Sequence, residues 1–377
     1  MPEILHPGVF VEELPDGSAP IEGVPTATTA FLGVTERGPT APTEVTGFAE
    51  YERAFGGAFS DPSFLFHAVA GFFENGGARA VIVRIVPAQP GAITAEDFDG
   101  AAVGGALPTG LAALDEPELS NVALVYAPDA QAVPGLVARL IAHCERSHFR
   151  MTIIDTPVGD VDPAPPADTP CAACYHPWIE VADPLSGAKR RVPPGGHVLG
   201  VYARVDTERG VFKAPANEVV RGAVGLAADI GTDQQERLNA TGVNVIRRFT
   251  GRGTLVWGAR TLSSDPEWKY VSVRRLLSFL ERSIEQGLQW TVFEPNDERL
   301  WTRVQNTVRN FLRNQWQSGA LAGAREHEAF FVRCDATTMT QDDIDSGLLV
   351  CVIGVAPLRR AEFVIVRLNL WTADREP

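Results

Sequence analysis

The sequence predicts a mixed α/β (α+β) chain divided into more than one domain. Three observations carry this prediction. Residues 122–126, 132–146 and 151–155 read as strand, amphipathic helix and strand, which is the spacing of a parallel unit with a right-handed crossover. The last third holds two long helical stripes, followed by two strand-like segments. A length of 377 residues with 45% hydrophobic content suits two or three packed units at roughly 100–200 residues each.

The elements follow in chain order. Residues 1–20 read as an arm, because Val9, Phe10 and Val11 extend as a short strand between Pro7-Gly8 and Pro15-Asp16-Gly17, both turn signals. A strand at 29–34 ends at Gly38-Pro39. A helix at 64–74 stops at Asn75-Gly76-Gly77, a good helix C-terminus. Residues 80–86 read as a buried strand, and 87–118 as loop or insertion. Residues 159–215 are rich in Pro and Gly, with short strands expected at places such as 200–205.

In the last third, Ser264-Asp265-Pro266-Glu267 carries the capping-box pattern with proline in the first turn. Val273, Leu276, Leu277, Leu280, Ile284 and Leu288 then mark one buried face at three-to-four spacing. Asn296-Asp297 caps the second helix. Its stripe is Trp301, Val304, Val308, Phe311, Leu312 and Gln315, and Gly319 ends it. Strands at 348–355 and 362–370 flank Pro357, and the second alternates Phe363 and Ile365 with Val364 and Val366. Both terminal strands lack a neighbour in sequence. Each is either a frayed end or a strand given to another sheet.

The formal net charge of −14 argues against general nucleic-acid binding. The charge is uneven: residues 241–320 hold 12 Arg/Lys and 7 Asp/Glu, a net of +5, while the rest holds 21 and 40, a net of −19. Such a block is either a solvated face or a surface for an acidic partner. No apolar run approaches the ~20 residues of a membrane span, and the first residues show no secretory pattern. Five cysteines without a regular framework fit a reducing compartment, so synthesis in a cytoplasm is expected.

Motifs for chemistry are mostly missing. There is no phosphate-loop pattern, no G-x-S-x-G elbow and no H-E-x-x-H helix. Asp155 with His176 and His197 could be imagined as part of a hydrolase on residues 119–240, but no serine in a strained turn completes it. Cys171 and Cys174, with His176 nearby, have metal-like spacing. A structural zinc site wants a second pair, and Cys144, Cys334 and Cys351 do not form one in sequence. Two small half-buried thiols are the expected reading, and no cofactor is expected.

With these residues in view, the chain resembles the contractile tail sheath family: sheaths of contractile phages, R-type bacteriocins and phage-like injection systems. The motifs run nearly end to end. They include Pro7-Gly8-Val9-Phe10-Val11-Glu12-Glu13, Phe72-Phe73-Glu74-Asn75-Gly76-Gly77, Tyr175-His176-Pro177-Trp178 and Val192-Pro193-Pro194-Gly195-Gly196-His197. Later come Gly210-Val211-Phe212-Lys213-Ala214-Pro215, Trp257-Gly258-Ala259-Arg260-Thr261-Leu262, Phe293-Glu294-Pro295-Asn296-Asp297 and Ala361-Glu362-Phe363-Val364-Ile365. Cys171 and Cys174 depart from the pattern, as does Leu358-Arg359-Arg360 where a second proline is expected.

The resemblance implies a structural subunit and not an enzyme. It implies a helical homo-oligomer around an inner tube protein, associated with baseplate and tail terminator or cap proteins, with no nucleic acid and no direct membrane insertion. Such a particle would be assembled in a bacterial cytoplasm. The expected division is an N-terminal arm at 1–20, a first segment at 21–90, a subtilisin-like α/β middle domain at 91–240, a tube-facing C-terminal domain at 241–359 and a C-terminal arm at 360–377. The arms, through Val9, Phe10, Val11, Phe363, Val364, Ile365 and Val366, are expected to exchange strands between neighbours. Of the arginines on the two late helices (Arg274, Arg275, Arg282, Arg299, Arg303, Arg309 and Arg313), the tube-facing candidates are Arg282, Arg303 and Arg313.

Overall fold

The computed structural model describes residues 20–59, 63–89, 92–100 and 108–358. Two compact units emerge: one from Pro25–Leu276, the other from 20–24 with Leu277–Ala356. The larger unit contains β1 (Thr29–Gly33), β2 (Thr43–Val45), α1 (Phe48–Phe55), α2 (Leu65–Glu74), β3 (Ala80–Arg84) and α3 (Ala95–Asp99). It continues with β4 (Leu124–Tyr126), α4 (Leu136–Ser147), β5 (Met151–Asp155), β6 (Ala172–His176), β7 (Ile179–Ala182), β8 (Lys189–Val192) and α5 (Gly195–Arg209). It ends with β9 (Glu218–Val219), β10 (Gly225–Leu226), α6 (Thr232–Ala240), β11 (Val243–Phe249), β12 (Gly253–Val256) and the start of α7 (Val271–Gly287).

Nine of these strands form one sheet in the order β2-β3-β1-β4-β5-β6-β11-β12-β9. The run from β3 to β11 is parallel throughout, and antiparallel β2, β12 and β9 close its edges. Both faces are covered. Phe31, Ile82, Leu124 and Ile153 point into a core shared with α2 and α5. Leu32, Val81, Val125 and Ile154 point into the opposite core with α4. A parallel strand buried on both sides has no polar face to show, which is why Met151–Asp155 reads as a continuous run and was legible to the residue.

The helix α5 was not legible. The sequence suggests a strand at 200–205, whereas these residues sit inside a fifteen-residue helix. Gly195 through Val205 are all buried, so no polar stripe marks the helical period. Its glycines allow α2 to come close: a Cβ at Gly196 would lie 2.4 Å from the Ala68 carbonyl oxygen, and one at Gly200 would lie 2.4 Å from the Phe72 carbonyl oxygen.

A second correction concerns α7. The Ser264–Glu267 pattern does not cap it, because the helix begins at Val271. Asp265 Oδ1 instead accepts the Glu267 N–H at 2.9 Å, and Ser264 donates through its backbone to Asp168 at 2.9 Å. An Asp bonding its own chain two residues on makes a turn and competes with a helix start.

The smaller unit holds the rest of α7, α8 (Glu298–Gln317), α9 (Glu326–Ala329), β13 (Phe330–Arg333), α10 (Gln341–Asp345) and β14 (Val352–Val355). α8 is amphipathic as expected: Leu300, Trp301, Val304, Val308, Phe311 and Leu312 are buried. Asp297 Oδ1 accepts the Leu300 N–H at 2.9 Å, the predicted N-cap. Phe279 of α7 meets Phe311 of α8 with ring centroids 6.0 Å apart.

Candidate assembly surfaces

The imagined hydrolase group in the larger unit is spoken for by structure. Asp155, at the end of β5, accepts Tyr126 Oη at 2.6 Å and the Gly195 N–H at 2.8 Å. It therefore caps the start of α5, where the helix presents unpaired donors. Burial raises its carboxyl to about 7. His176 Nδ1 lies 2.9 Å from Thr156 Oγ1. The His197 ring is packed against Gly71, whose Cβ, if present, would lie 2.3 Å away, and burial lowers its pKa to about 4. Each of the three is engaged with different neighbours. Cys171 and Cys174 are both buried, and among the described residues no cluster of three or more His, Cys, Asp or Glu could hold a metal ion. No described helix is long and apolar enough to cross a membrane.

The sequence motif Phe72-Phe73-Glu74-Asn75-Gly76-Gly77 has a structural job. Gly76 takes a φ of 111°, a conformation glycine adopts without strain. The buried Asn75 side chain donates to Gly71 and Arg221 carbonyls at 2.9 and 3.0 Å and accepts the Arg221 N–H at 2.8 Å. Arg204 of α5 donates to the Asn75 carbonyl at 2.8 Å. The motif thus ties the end of α2 to α5 and to the chain leading away from β9.

The basic block divides in two. Arg274 and Arg275 are buried. Arg275 pairs with Asp206 at 2.5 Å, both side chains under a tenth exposed, donates to the Thr26 carbonyl at 2.9 Å, and stacks on Tyr202 at 4.8 Å. These two arginines belong to the core of the larger unit. Arg247, Arg248, Arg252, Arg260 and Lys269 of the block also lie in the larger unit, and the remaining five arginines, all on α7 and α8, lie in the smaller unit. Arg282 pairs with Glu285 at 2.7 Å. The Arg303 guanidinium stacks 4.4 Å from the Trp290 ring centroid. Arg313 and Arg309 converge on Glu326 at 2.8 and 2.6 Å. Arg299, not among the tube-facing candidates, is exposed.

Val9, Phe10, Val11, Phe363, Val364, Ile365 and Val366 lie outside the described residues. The chain just after the first arm does not: Val24 N–H donates to Ser283 Oγ at 3.1 Å, and Ile21 and Gly23 lie against Gly287 and Phe279. Residues 20–24 therefore run along α7.

The same unit contains a two-stranded antiparallel sheet, β13 with β14. Phe330 and Val332 are buried while Phe331 and Arg333 are exposed. The Phe331 ring covers Gly354, where a Cβ would be 2.2 Å from the ring. The Ala356 N–H donates to the Ala329 carbonyl at 2.8 Å. This fixes the phase of the ladder, in which hydrogen-bonded and non-hydrogen-bonded rungs alternate. Phe331/Gly354 and Arg333/Val352 are bonded rungs, and Phe330/Val355 and Val332/Ile353 are not. The backbone groups of Val332, Ile353 and Val355 thus point outward. On the β13 side, Gln305 of α8 donates to the Val332 carbonyl at 3.1 Å. On the β14 side, no described residue meets the outward groups of Ile353 and Val355. An edge of this kind is a template for another strand.

Comparison with known proteins settles the family. Residues 110–262 match the model of the phage tail sheath protein central domain, and residues 263–370 match that of the phage tail sheath C-terminal domain. The chain belongs to the contractile tail sheath family. It is 33% identical to the chain of the anti-feeding prophage helical sheath in its contracted state, covering 96% of this chain and 98% of that one with a TM-score of 0.78. It is 30% identical to the PVC sheath chain of an extracellular contractile injection system in its contracted state, at 98% and 99% coverage and a TM-score of 0.78. A tail sheath protein of Vibrio phage KVP40 is 25% identical over 198 residues, 52% of this chain and 29% of that protein. The chain spans between 26% and 39% of the length of the curated tail sheath proteins it matches.

Proposed function

We propose that this protein is the repeating subunit of a contractile sheath: copies polymerise helically around an inner tube on a baseplate, and contraction drives the tube through a target envelope. The observation that carries this is the near-complete likeness, at 33% identity, to the subunit of a contracted helical sheath. Assembly takes place in a bacterial cytoplasm, and a tail terminator or cap protein completes the particle. The protein does not act as an enzyme. The energy of contraction lies in two packings of one subunit, a bistable arrangement.

A lattice that contracts without dissociating needs connections that survive rotation of its subunits. Strand addition supplies them, because backbone hydrogen bonds hold the arm whatever its side chains do. The open side of β14 is the acceptor, and the arms carrying Val9, Phe10, Val11 and Phe363, Val364, Ile365, Val366 are the donors. Arg282, Arg303 and Arg313 face an acidic tube. Their side chains are partly exposed, Arg282 to 18% and Arg313 to 38% with Arg303 intermediate, suited to weak contacts of about 0–1 kcal/mol each that align a tube and release it.

The test is deletion of residues 1–16. The truncated chain should remain folded and soluble by circular dichroism and size-exclusion chromatography, yet give no tubes by negative-stain microscopy. Regular tubes with normal contraction from the truncated chain would overturn strand exchange. Absence of tubes from the intact chain together with its inner tube and baseplate proteins would overturn the sheath reading.

A further inference from the structure

Of the five cysteines, the pair that spacing singles out is Cys171 and Cys174, but the pair that the fold places together is Cys334 and Cys351. Cys334 follows β13 directly and Cys351 precedes β14 directly. Continuing the register Arg333↔Val352 by one residue on each side places them opposite one another, on what would be the next rung of the ladder. The phase set by Ala356 and Ala329 makes that rung a non-hydrogen-bonded one. Cα atoms on such rungs lie about 4.5 Å apart, inside the range of about 4.4–6.8 Å that a disulfide spans. Directly opposite side chains of an antiparallel pair share one face, so the two thiols lie on the same side of the sheet, each close enough to shift the acidity of the other.

We propose that Cys334 and Cys351 are an oxidation site, closing to an intramolecular disulfide when the folded protein meets a small-molecule disulfide such as oxidised glutathione. The roles of the two thiols differ. Cys351 is partly exposed, whereas Cys334 is buried. The neighbouring Cys334 thiol holds the Cys351 thiol below the usual range, while Cys351, together with burial, raises Cys334. Since the thiolate is the nucleophile, Cys351 attacks first. Its sulfur bonds to one sulfur of glutathione disulfide, the original S–S bond breaks, and one glutathione leaves as thiolate and takes up a proton. Cys334, once deprotonated, then displaces the second glutathione from Cys351. The two cysteines lose two electrons and two protons, and the disulfide becomes two glutathione thiols.

The competing thiols are less apt. Burial raises Cys144, Cys171 and Cys174 above the usual thiol range. Closure at 334 and 351 would pin the mouth of the β13–β14 ladder and tie off the connection 335–350. Its bearing on assembly rests on the reading of β14 as an arm acceptor, but the chemistry does not.

The experiment is to incubate the native full-length chain with oxidised glutathione, quench with acid, and map peptides by mass spectrometry without reduction. The expected product has lost two hydrogens, carries no glutathione, and links the peptides of Cys334 and Cys351, with the other three cysteines still free. The Cys334→Ser variant should stop at a glutathione adduct on Cys351, and Cys351→Ser should stay unmodified at Cys334. If Cys334→Ser fails to fold, the wild-type map under native and urea-denatured conditions decides instead: a single link when native, several when unfolded. A persistent glutathione adduct on wild-type Cys351, or links confined to Cys144, Cys171 and Cys174, would overturn the assignment. These readouts require no tubes, so they stand apart from the sheath reading.

Discussion

Replacing Ile353 with proline should separate strand acceptance from the stability of the subunit. In the isolated chain the outward N–H of Ile353 meets no described residue, so its loss removes no bond within β13–β14. The remaining cost is the proline φ of about −65° against a strand value near −140°, plus part of the half-buried Ile353 side chain, on the order of 1–2 kcal/mol in all. In a unit of this size each kcal/mol shifts the melting temperature by about 4–8 °C. The matched control is Phe331→Pro, which deletes an N–H bonded to Gly354 inside the ladder and uncovers the glycine, costing about 3 kcal/mol or more. Assembly should rank the other way. An incoming strand on β14 loses one hydrogen bond, about 0.5–1.5 kcal/mol, and meets a pyrrolidine ring within the ~4.8 Å that strand pairing allows. A loss of about 1.4 kcal/mol per addition is a tenfold weaker step, repeated at every subunit. Calorimetry on the monomer and negative-stain counts of tubes at fixed concentration read the two effects. Ile353→Pro should melt a little below wild type and yield few tubes. A wild-type yield of tubes would show that β14 is not the acceptor. A melt as low as that of Phe331→Pro would show that the phase assigned to the ladder is wrong.

Three further outcomes are expected. Arg275→Ala leaves the Asp206 carboxylate buried and unpaired, which should cost about 3–5 kcal/mol; denaturant titration should show this, and Arg275→Met with Asp206→Leu should recover much of it, the two changes being non-additive. Glu at Arg282, Arg303 and Arg313 together should weaken sheath assembly on purified tube while sheath-only polymers still form. Arg313→Gln alone controls for repulsion with Glu326, and unchanged tube-templated assembly in the triple variant would return these residues to a solvated face.

The last outcome concerns pH. Burial lowers His67, His143 and His197 to about 4, whereas an unfolded histidine titrates near about 6.5. Between those values the unfolded chain binds more protons, so stability rises with pH, by up to about 3 kcal/mol per histidine. Asp155 acts oppositely: its carboxyl, raised to about 7, keeps a proton that the unfolded chain loses near about 4, so its contribution is lost as pH rises to 7. Asp155→Asn should therefore climb more steeply than wild type from pH 5 to 7 in urea unfolding. Parallel curves would remove Asp155 from the account.

Much of this protein was legible in the sequence where local chemistry and period agree. β1, β3, β4 and β5 read as strands because both their faces are buried, whereas β6 and β11 were not singled out. α8 was readable from its stripe and its Asp297 cap, and the helix end at Asn75-Gly76-Gly77 from the φ that only glycine takes easily. The family was visible in motifs spread along the chain. Other features depend on residues far apart in sequence, and only the tertiary structure decided them. α5 is a helix because its glycines let α2 come within contact on one side while the sheet buries the other, which erases the polar stripe that would have announced it. Arg274 and Arg275, indistinguishable in sequence from the less buried arginines after them, belong to a core because Asp206, Thr26 and Tyr202 wait for Arg275 and the His148 carbonyl and Trp268 for Arg274. The open edge of β14 and the pairing of Cys334 with Cys351 both follow from one register between two short strands, and a register is a relation between segments that no spacing within either of them encodes.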